Sequence, residues 1–370
     1  MLKTSHHRVR RTLTILIATA LTGAVACEPA TGPTARGKLD ASTALADYRA
    51  MERVFTSDSW VGLQALGGRT PLAANTSIAA LQAIPLAADA STGRQFAARL
   101  LGEVLAAHAP NAPRAKRVIS PIHLGRTLVY DPARDHYVVD PARSGAPAEG
   151  VRFILYEVDG SGRPIPTKEI GHADLLDEGS TSGETIALRL LVVERGSTRI
   201  DYRTSVLLRG TAARIDVRGF GVDTDGTRLD FTIGASGEER GGKSLLDLDF
   251  ILRVDTRNFR IEGSVRGVED ARPGDGTVDV TARHGTDSFR VNLTGDGATV
   301  SGTIFLNGAS FVTVSGDATN PTLLGATGNP ITEPELRVVR AVIHAVDDVF
   351  DLVEDLVRPV ERLLILGWIL

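Results

Sequence analysis

The chain has 370 residues, with 41 Lys plus Arg against 45 Asp plus Glu and a formal net charge of −4. An acidic chain without a basic cluster argues against nucleic acid as a partner, because such binding depends on neutralising phosphates. The length is sufficient to bury a full hydrophobic core, in one large domain or two ordinary ones.

Residues 1–26 have the features of a secretory signal peptide. An apolar stretch from Thr12 to Ala26 follows a positive segment that contains no acidic residue. A membrane-spanning helix needs about 20 apolar residues, so this stretch is too short for one and is typical of a signal sequence. Removal of residues 1–26 would leave 37 basic against 45 acidic residues and a formal charge of −8. The four basic residues lost are Lys3, Arg8, Arg10 and Arg11.

Two processing patterns meet at the bond between Ala26 and Cys27. Ala24-Val25-Ala26 has the small-x-small pattern that the general signal peptidase cleaves. The same segment resembles a bacterial lipobox, although Ala24 stands where Leu is commonest. Cys27 is the only cysteine of the chain and occupies the position at which lipid is attached. This coincidence favours a lipoprotein over a soluble secreted protein.

The resemblance covers residues 1–27 and implies a fatty-acylated Cys27. Attachment through two or three acyl chains, palmitate among them, would give stable membrane anchoring. The implied location is the cell envelope, on the periplasmic face or at the outer membrane, and Glu28 is compatible with sorting to the outer membrane. With Cys27 consumed, the exported part has no disulfide.

The predicted elements begin after a lipidated tether at 27–40, which is rich in Pro, Gly and Thr. A helical segment is predicted over 41–110, with one helix over 43–66 and another over about 77–108. Pro85 should kink the second helix. Both helices are predicted because apolar residues recur at intervals of three and four positions.

An antiparallel β domain is predicted over 111–330. Segments of eight to ten residues alternate apolar and polar side chains between Gly, Asp and Asn turns, as in Leu246 to Val254. Ten to twelve strands in a meander are expected. The two DPAR sequences at 131–134 and 140–143 are predicted turns that flank a short strand, His136–Val139.

A long amphipathic helix is predicted in the C-terminal segment, 331–370, with Pro359 as a kink. The fold class is therefore α+β and β-rich. A long antiparallel meander, forming either a strongly curved sheet or a closed barrel, should pack its apolar face on the N-terminal and C-terminal helices.

One sequence matches the phosphate-binding P-loop pattern through Gly237, Gly242, Lys243 and Ser244. Such a loop needs a helix after it, whereas the residues after Ser244 alternate like a strand. Glu238 and Glu239 also place negative charge where phosphate would bind. We interpret the match as a chance one on a polar hairpin, and no nucleotide is predicted.

Two acidic clusters suggest metal or acid–base chemistry. His172, Asp174, Asp177 and Glu178 offer an imidazole and carboxylates, and a solvated turn between strands is the favoured interpretation. Asp223-Thr224-Asp225-Gly226 begins like a calcium loop, but it lacks the closing glutamate and is interpreted as a hairpin turn. No metal and no cofactor are predicted.

The functional prediction is an exported, membrane-anchored and non-catalytic structural or partner-binding protein of the cell envelope. An alternative is a carrier that holds an apolar ligand or lipid between sheet and helices. An envelope hydrolase is a minor alternative, because the nucleophile motif G-x-S-x-G is absent.

Overall fold

The computed structural model describes residues 41–66, 119, 121–179, 185–209, 212–240, 243–269, 275–296, 298–318 and 320–333, with nine further helical positions from 335 to 353. The predicted signal peptide, Cys27, the tether and the predicted helix over 77–108 lie outside these residues. So do Pro359 and the rest of the predicted C-terminal helix.

Fifteen strands form one sheet, and they make the described fold predominantly β. Their bounds are β1 Arg126–Asp131, β2 His136–Val139, β3 Gly150–Val158, β4 Pro164–Asp177, β5 Thr185–Glu194, β6 Ser197–Arg209, β7 Ala212–Val222, β8 Arg228–Arg240, β9 Lys243–Val254, β10 Phe259–Glu269, β11 Asp275–His284, β12 Asp287–Asp296, β13 Thr299–Leu306, β14 Ala309–Asp317 and β15 Thr322–Gly325. Several strands are longer than the eight to ten residues expected. The total of fifteen strands also exceeds the ten to twelve predicted.

The sheet is open, so the closed-barrel alternative is wrong. Its strand order runs from β15 through consecutive neighbours to β3 and then to β1 and β2. Every neighbouring pair from β3 to β15 is antiparallel, as a meander requires. The exception is β1, which pairs in parallel with β3 and antiparallel with β2. The fully buried Leu128 of β1 is thus placed inside the sheet, and the short β2 becomes its edge.

The predicted helix over 43–66 is two helices, α1 (Ala41–Phe55) and α2 (Asp58–Leu66). Ser57 separates them. Its hydroxyl accepts a hydrogen bond from the amide of Trp60 at 3.4 Å, and its carbonyl accepts one from Val61 at 2.9 Å. Ser57 is therefore the N-cap of α2, a role that serine fills well because its side chain satisfies a free amide of the first turn.

One face of the sheet is apolar, and helical residues cover part of it. Met51, Val54 and Trp60 belong to the same buried cluster as the strand residues, and so do six valine and phenylalanine positions between 339 and 353. The ring of Phe250 on β9 packs edge to face on Phe350, with 5.7 Å between centroids. Gly263 on the neighbouring strand leaves room for that ring, since a Cβ there would lie 2.3 Å from it.

Three buried carboxylates join α1 and α2 to the turns at one end of the sheet. Asp47 contacts Arg257 and His284, each at 2.5 Å. Glu194 accepts a hydrogen bond from the hydroxyl of the buried Ser59. Asp223 lies 3.4 Å from Arg53 and also accepts two amide hydrogen bonds from its own turn. The helices are therefore fixed to the sheet by ionic and hydrogen-bonded contacts as well as by apolar packing.

We expect Asp47→Ala to lower the free energy of unfolding by about 2 kcal/mol, because it leaves Arg257 and His284 without their shared carboxylate. Denaturant unfolding of the purified protein measures this change. Arg49→Ala, on the exposed side of the same helix, is the control and should change stability by less than about 0.5 kcal/mol. Equal effects of the two substitutions would contradict a specific role for Asp47.

Candidate binding site on the polar face of the sheet

The residue groups that the sequence singles out do not converge on one site. His172 and Asp174 lie on β4 and not in the predicted solvated turn, because that strand continues to Asp177. Asp174 is held by Arg152 through two hydrogen bonds of 2.7 Å. Burial, followed by the charge of Arg152, lowers the pKa of His172. This imidazole is therefore neutral near pH 7.

The remaining members of that cluster have separate structural partners. Asp177 accepts amide hydrogen bonds from Ile119 at 3.1 Å and from Gly179 at 2.9 Å. Glu178 binds Arg203 at 2.9 Å. Within the described ranges, no group of three or more His, Cys, Asp or Glu side chains is arranged to hold a metal ion.

The P-loop match lies on a β-hairpin. Gly237 is in β8, Lys243 and Ser244 begin β9, and Arg240 at the end of β8 pairs with Lys243. Gly242 lies outside the described residues. The strand after Ser244 is the one that the alternation predicts, so these residues lack the helix on which a phosphate-binding loop depends.

Asp223 to Gly226 form the turn between β7 and β8, as predicted. The sequence did not reveal that Asp223 is buried against Arg53 of α1. Ser59 and His284 also touch carboxylates, but these are Glu194 and Asp47 respectively. A catalytic triad needs a serine bonded to a histidine, and no hydrogen bond joins Ser59 to His284 in the described part of the chain. The two pairs are therefore separate structural contacts.

The polar face of the sheet carries arginines in register on neighbouring strands. Arg189, Arg203 and Arg218 lie directly opposite one another on β5, β6 and β7. A second set of arginines is also paired across neighbouring strands. It consists of Arg253, Arg260 and Arg283 on β9, β10 and β11. We call these sets the first and second arginine triplets. Like charges directly opposite one another destabilise a sheet, so this arrangement needs a counter-charge.

A groove of about 520 Å³ lies between the triplets. Five triplet members line it together with Arg228, against only two acidic side chains, so these lining groups carry a formal charge of +4; the acids are Asp201 and Asp230. We call it the arginine groove. A second groove, of about 730 Å³, shares Thr232 and Ile251 with it but is lined by three arginines and four acidic residues.

The arginines of the groove are held in place by carboxylates around its rim. Arg189 binds Asp201 through hydrogen bonds of 2.8 and 2.6 Å. The other ion pairs are Arg203–Glu178 at 2.9 Å, Arg228–Asp230 at 2.7 Å, Arg253–Asp255 at 2.9 Å and Arg260–Glu262 at 2.7 Å. A guanidinium has five N–H donors, so a bidentate partner leaves three for another ligand. The pairs therefore orient these side chains without exhausting them.

Arg218 is the exception among the arginines of the groove. It is exposed and forms no ion pair or hydrogen bond with the described residues. Its strand neighbours across the sheet are Arg203 and Thr232. Arg218 thus lies opposite Arg203 without an ion-pair partner among the described residues, which makes this groove the best candidate binding site.

The triplets were not recognised in the sequence. The arginine content, 36 against five lysines, is equally consistent with a coding bias. The available signal is symmetry along the sequence, because Arg203 and Arg218 are equally far from positions 210–211, which lie between β6 and β7. A register assignment from that turn would have placed them opposite each other.

We expect Arg218→Gln to raise the free energy of unfolding by about 0.5 kcal/mol at low ionic strength, because it removes a like-charge contact. Arg214→Gln is the matched control on the same strand. Arg214 faces Leu207 and Ser236 and binds Asp216 at 2.7 Å, so its loss should leave stability unchanged or lower it. Urea unfolding at two salt concentrations tests both. A destabilised Arg218→Gln protein would contradict the proposed repulsion.

Comparison of the chain with protein-family models, with curated proteins and with solved structures finds no match. Neither family membership nor a fold relationship follows from these comparisons. In the part of the chain that the structure describes, no helix combines the length and the apolar character needed to cross a membrane.

Proposed function

We propose that this chain is an exported lipoprotein, anchored through Cys27, that acts as a non-catalytic binding protein of the cell envelope. The arginine groove is the observation on which the binding role rests. Six arginines line the groove, and five of them pair with carboxylates, which leaves Arg218 without an ion pair among the described residues. The positive charge at this position would attract an anionic group of a partner. The anchor itself rests on the sequence of residues 1–27.

The polar face, rather than the apolar one, is the proposed binding surface. Helical side chains pack directly against the apolar face, for example Phe350 on Phe250. Ion pairs of Asp47 and Arg53 hold α1 at the end of the sheet, and a hydrogen bond from Ser59 to Glu194 holds α2 there. Both features favour a solidly packed interior over the carrier alternative.

A lipid carrier would give a different result in native mass spectrometry of the protein purified with its anchor. The binding-protein proposal predicts the mass of the acylated chain alone after detergent removal in the gas phase. A second, non-covalent lipid that survives purification and is lost on delipidation would instead support the carrier.

Substitution of Cys27 tests the anchor. We expect Cys27→Ser to abolish labelling by radioactive palmitate and to move the protein from the membrane fraction to the soluble envelope fraction, because the thioether cannot form. Thr31→Ala, in the predicted tether, is the control and should label and fractionate like the unaltered chain. Palmitate labelling that survives Cys27→Ser would refute attachment at this residue.

A further inference from the structure

We propose that the polar face of the sheet binds a short zwitterion, whose acidic end contacts Arg218 and whose ammonium end contacts Asp249. The inference deepens the proposed binding role, on which it rests, by assigning the chemical class of the partner. A short peptide with free termini belongs to this class. The ligand would lie across the border between the arginine groove and the second groove, over Thr232 and Ile251.

Nearly every charge in the two grooves is already paired within the chain. Eight charged residues line the arginine groove and seven line the second groove, and thirteen of these fifteen form ion pairs with described residues. The remaining two are Arg218 and Asp249. The face therefore offers one free position for each sign of charge, and not a field of positive charge. The pairs of the second groove are Arg214–Asp216 at 2.7 Å, Arg283–Glu262 at 3.2 Å and Arg290–Asp279.

Asp249 is the unpaired acid of the second groove. It is exposed, its neighbours across the sheet are the uncharged Gly234 and Ser264, and it has no hydrogen bond or ion pair with any described residue. The pKa of Arg214 is raised chiefly by its hydrogen bonds to Asp216 and less by the charge of Asp249. Because those hydrogen bonds hold the Arg214 guanidinium, Asp249 is left to bind another cation.

The separation of the two unpaired charges indicates the length of the ligand. Arg218 is in register with Thr232 and Ile251, and Asp249 is two residues from Ile251 along β9. Two strand spacings across the sheet and two residues along it separate the backbones of Arg218 and Asp249 by about 12 Å. An extended peptide of about three or four residues spans this distance between its charged termini.

The surface between the two charges suits an uncharged middle. Thr232 and Ile251 line both grooves, and Gly234 adds no side chain beside them. Ile251, with 38% of its surface exposed, is one of three large exposed hydrophobic side chains among the described residues. The hydroxyl of Thr232 can donate a hydrogen bond to a peptide carbonyl, and an apolar side chain of the ligand would cover Ile251.

A second copy of the chain also carries both signs of charge, but it would cover more than the two unpaired residues. The eight ion pairs around the grooves would then lose water. Burying paired charges costs free energy that new contacts must offset, and the centres of protein interfaces are depleted of charge. A small ligand covers Arg218 and Asp249 and leaves the surrounding pairs in water, so it fits this face better.

Binding of tetra-alanine to the full mature lipoprotein, purified in a neutral detergent, tests this inference. The dissociation constant is measured by ligand-detected NMR at pH 7, where both termini are charged. The controls are the same peptide with an acetylated N-terminus, with an amidated C-terminus and with both ends blocked. We expect the free peptide to bind about fivefold more tightly than either singly blocked one, because each block removes one partly exposed ion pair. High salt should reduce this difference.

Substitutions assign each end of the peptide to one residue. Arg218→Gln should weaken binding of the free peptide about fivefold and leave binding of the amidated peptide unchanged, because that peptide lacks the carboxylate. Asp249→Asn should weaken the free peptide equally and leave the acetylated peptide unchanged. Asp247→Asn and Arg266→Gln are the matched controls, since these residues pair with each other at 3.6 Å outside both grooves. Each control should change the affinity less than about twofold.

The contrary outcomes separate this inference from the proposed function. Equal binding of the free and acetylated peptides, lost in Arg218→Gln alone, would overturn the zwitterion and leave an anion-binding protein. Absence of binding by all four peptides, in a protein that is acylated, would overturn the inference and leave the anchor standing. Self-association in sedimentation velocity that is lost in both Arg218→Gln and Asp249→Asn would assign the two charges to a second copy instead. Peptide binding by a chain that is not acylated at Cys27 would uphold the site and refute the anchor.

Discussion

The need to cover one continuous apolar face governs the described fold. Most of the fifteen strands place their hydrophobic side chains on one face of the sheet, and an apolar surface of that extent is unstable in water. The exception is β3, which buries the consecutive residues Phe153 to Tyr156 and therefore has buried side chains on both faces. Helical residues from both ends of the described chain cover part of this apolar face. The buried carboxylates follow from it as well, because helices that reach the polar turns at the end of the sheet must pair their charges there.

Much of this architecture could be predicted from local patterns. Period-two alternation identified strands such as the one that contains Phe250, and the DPAR sequences located His136–Val139. The misses have non-local causes. The parallel pairing of β1 with β3 depends on which strand edges are free. His172 lies in a strand because it pairs with Ile154 of β3 on one side and with Val193 of β5 on the other. Neither partner is visible from the local sequence.

The candidate site was less predictable than the fold, because strand register creates it. Arg203 and Arg218 lie on consecutive strands and acquire a shared role only when β6 and β7 align in this register. Asp223 is a similar case. Its turn can be recognised in the sequence, but its contact with Arg53 depends on how α1 packs on the sheet. By contrast, the P-loop match could be rejected from sequence, since strand alternation after Ser244 conflicts with the required helix.

The short edge strands limit the association of neighbouring copies of the protein. An open sheet presents unpaired backbone groups along both borders, where a second copy could add its own strand and start a polymer. Here the outermost strands, β2 and β15, have only four residues each, and β15 is further bridged through Leu324 to Pro330. The proposed lipid anchor would confine the protein to a membrane surface, where it would meet its copies far more often than in solution. Brief, partly covered borders would keep such neighbours separate and leave the polar face of each molecule accessible.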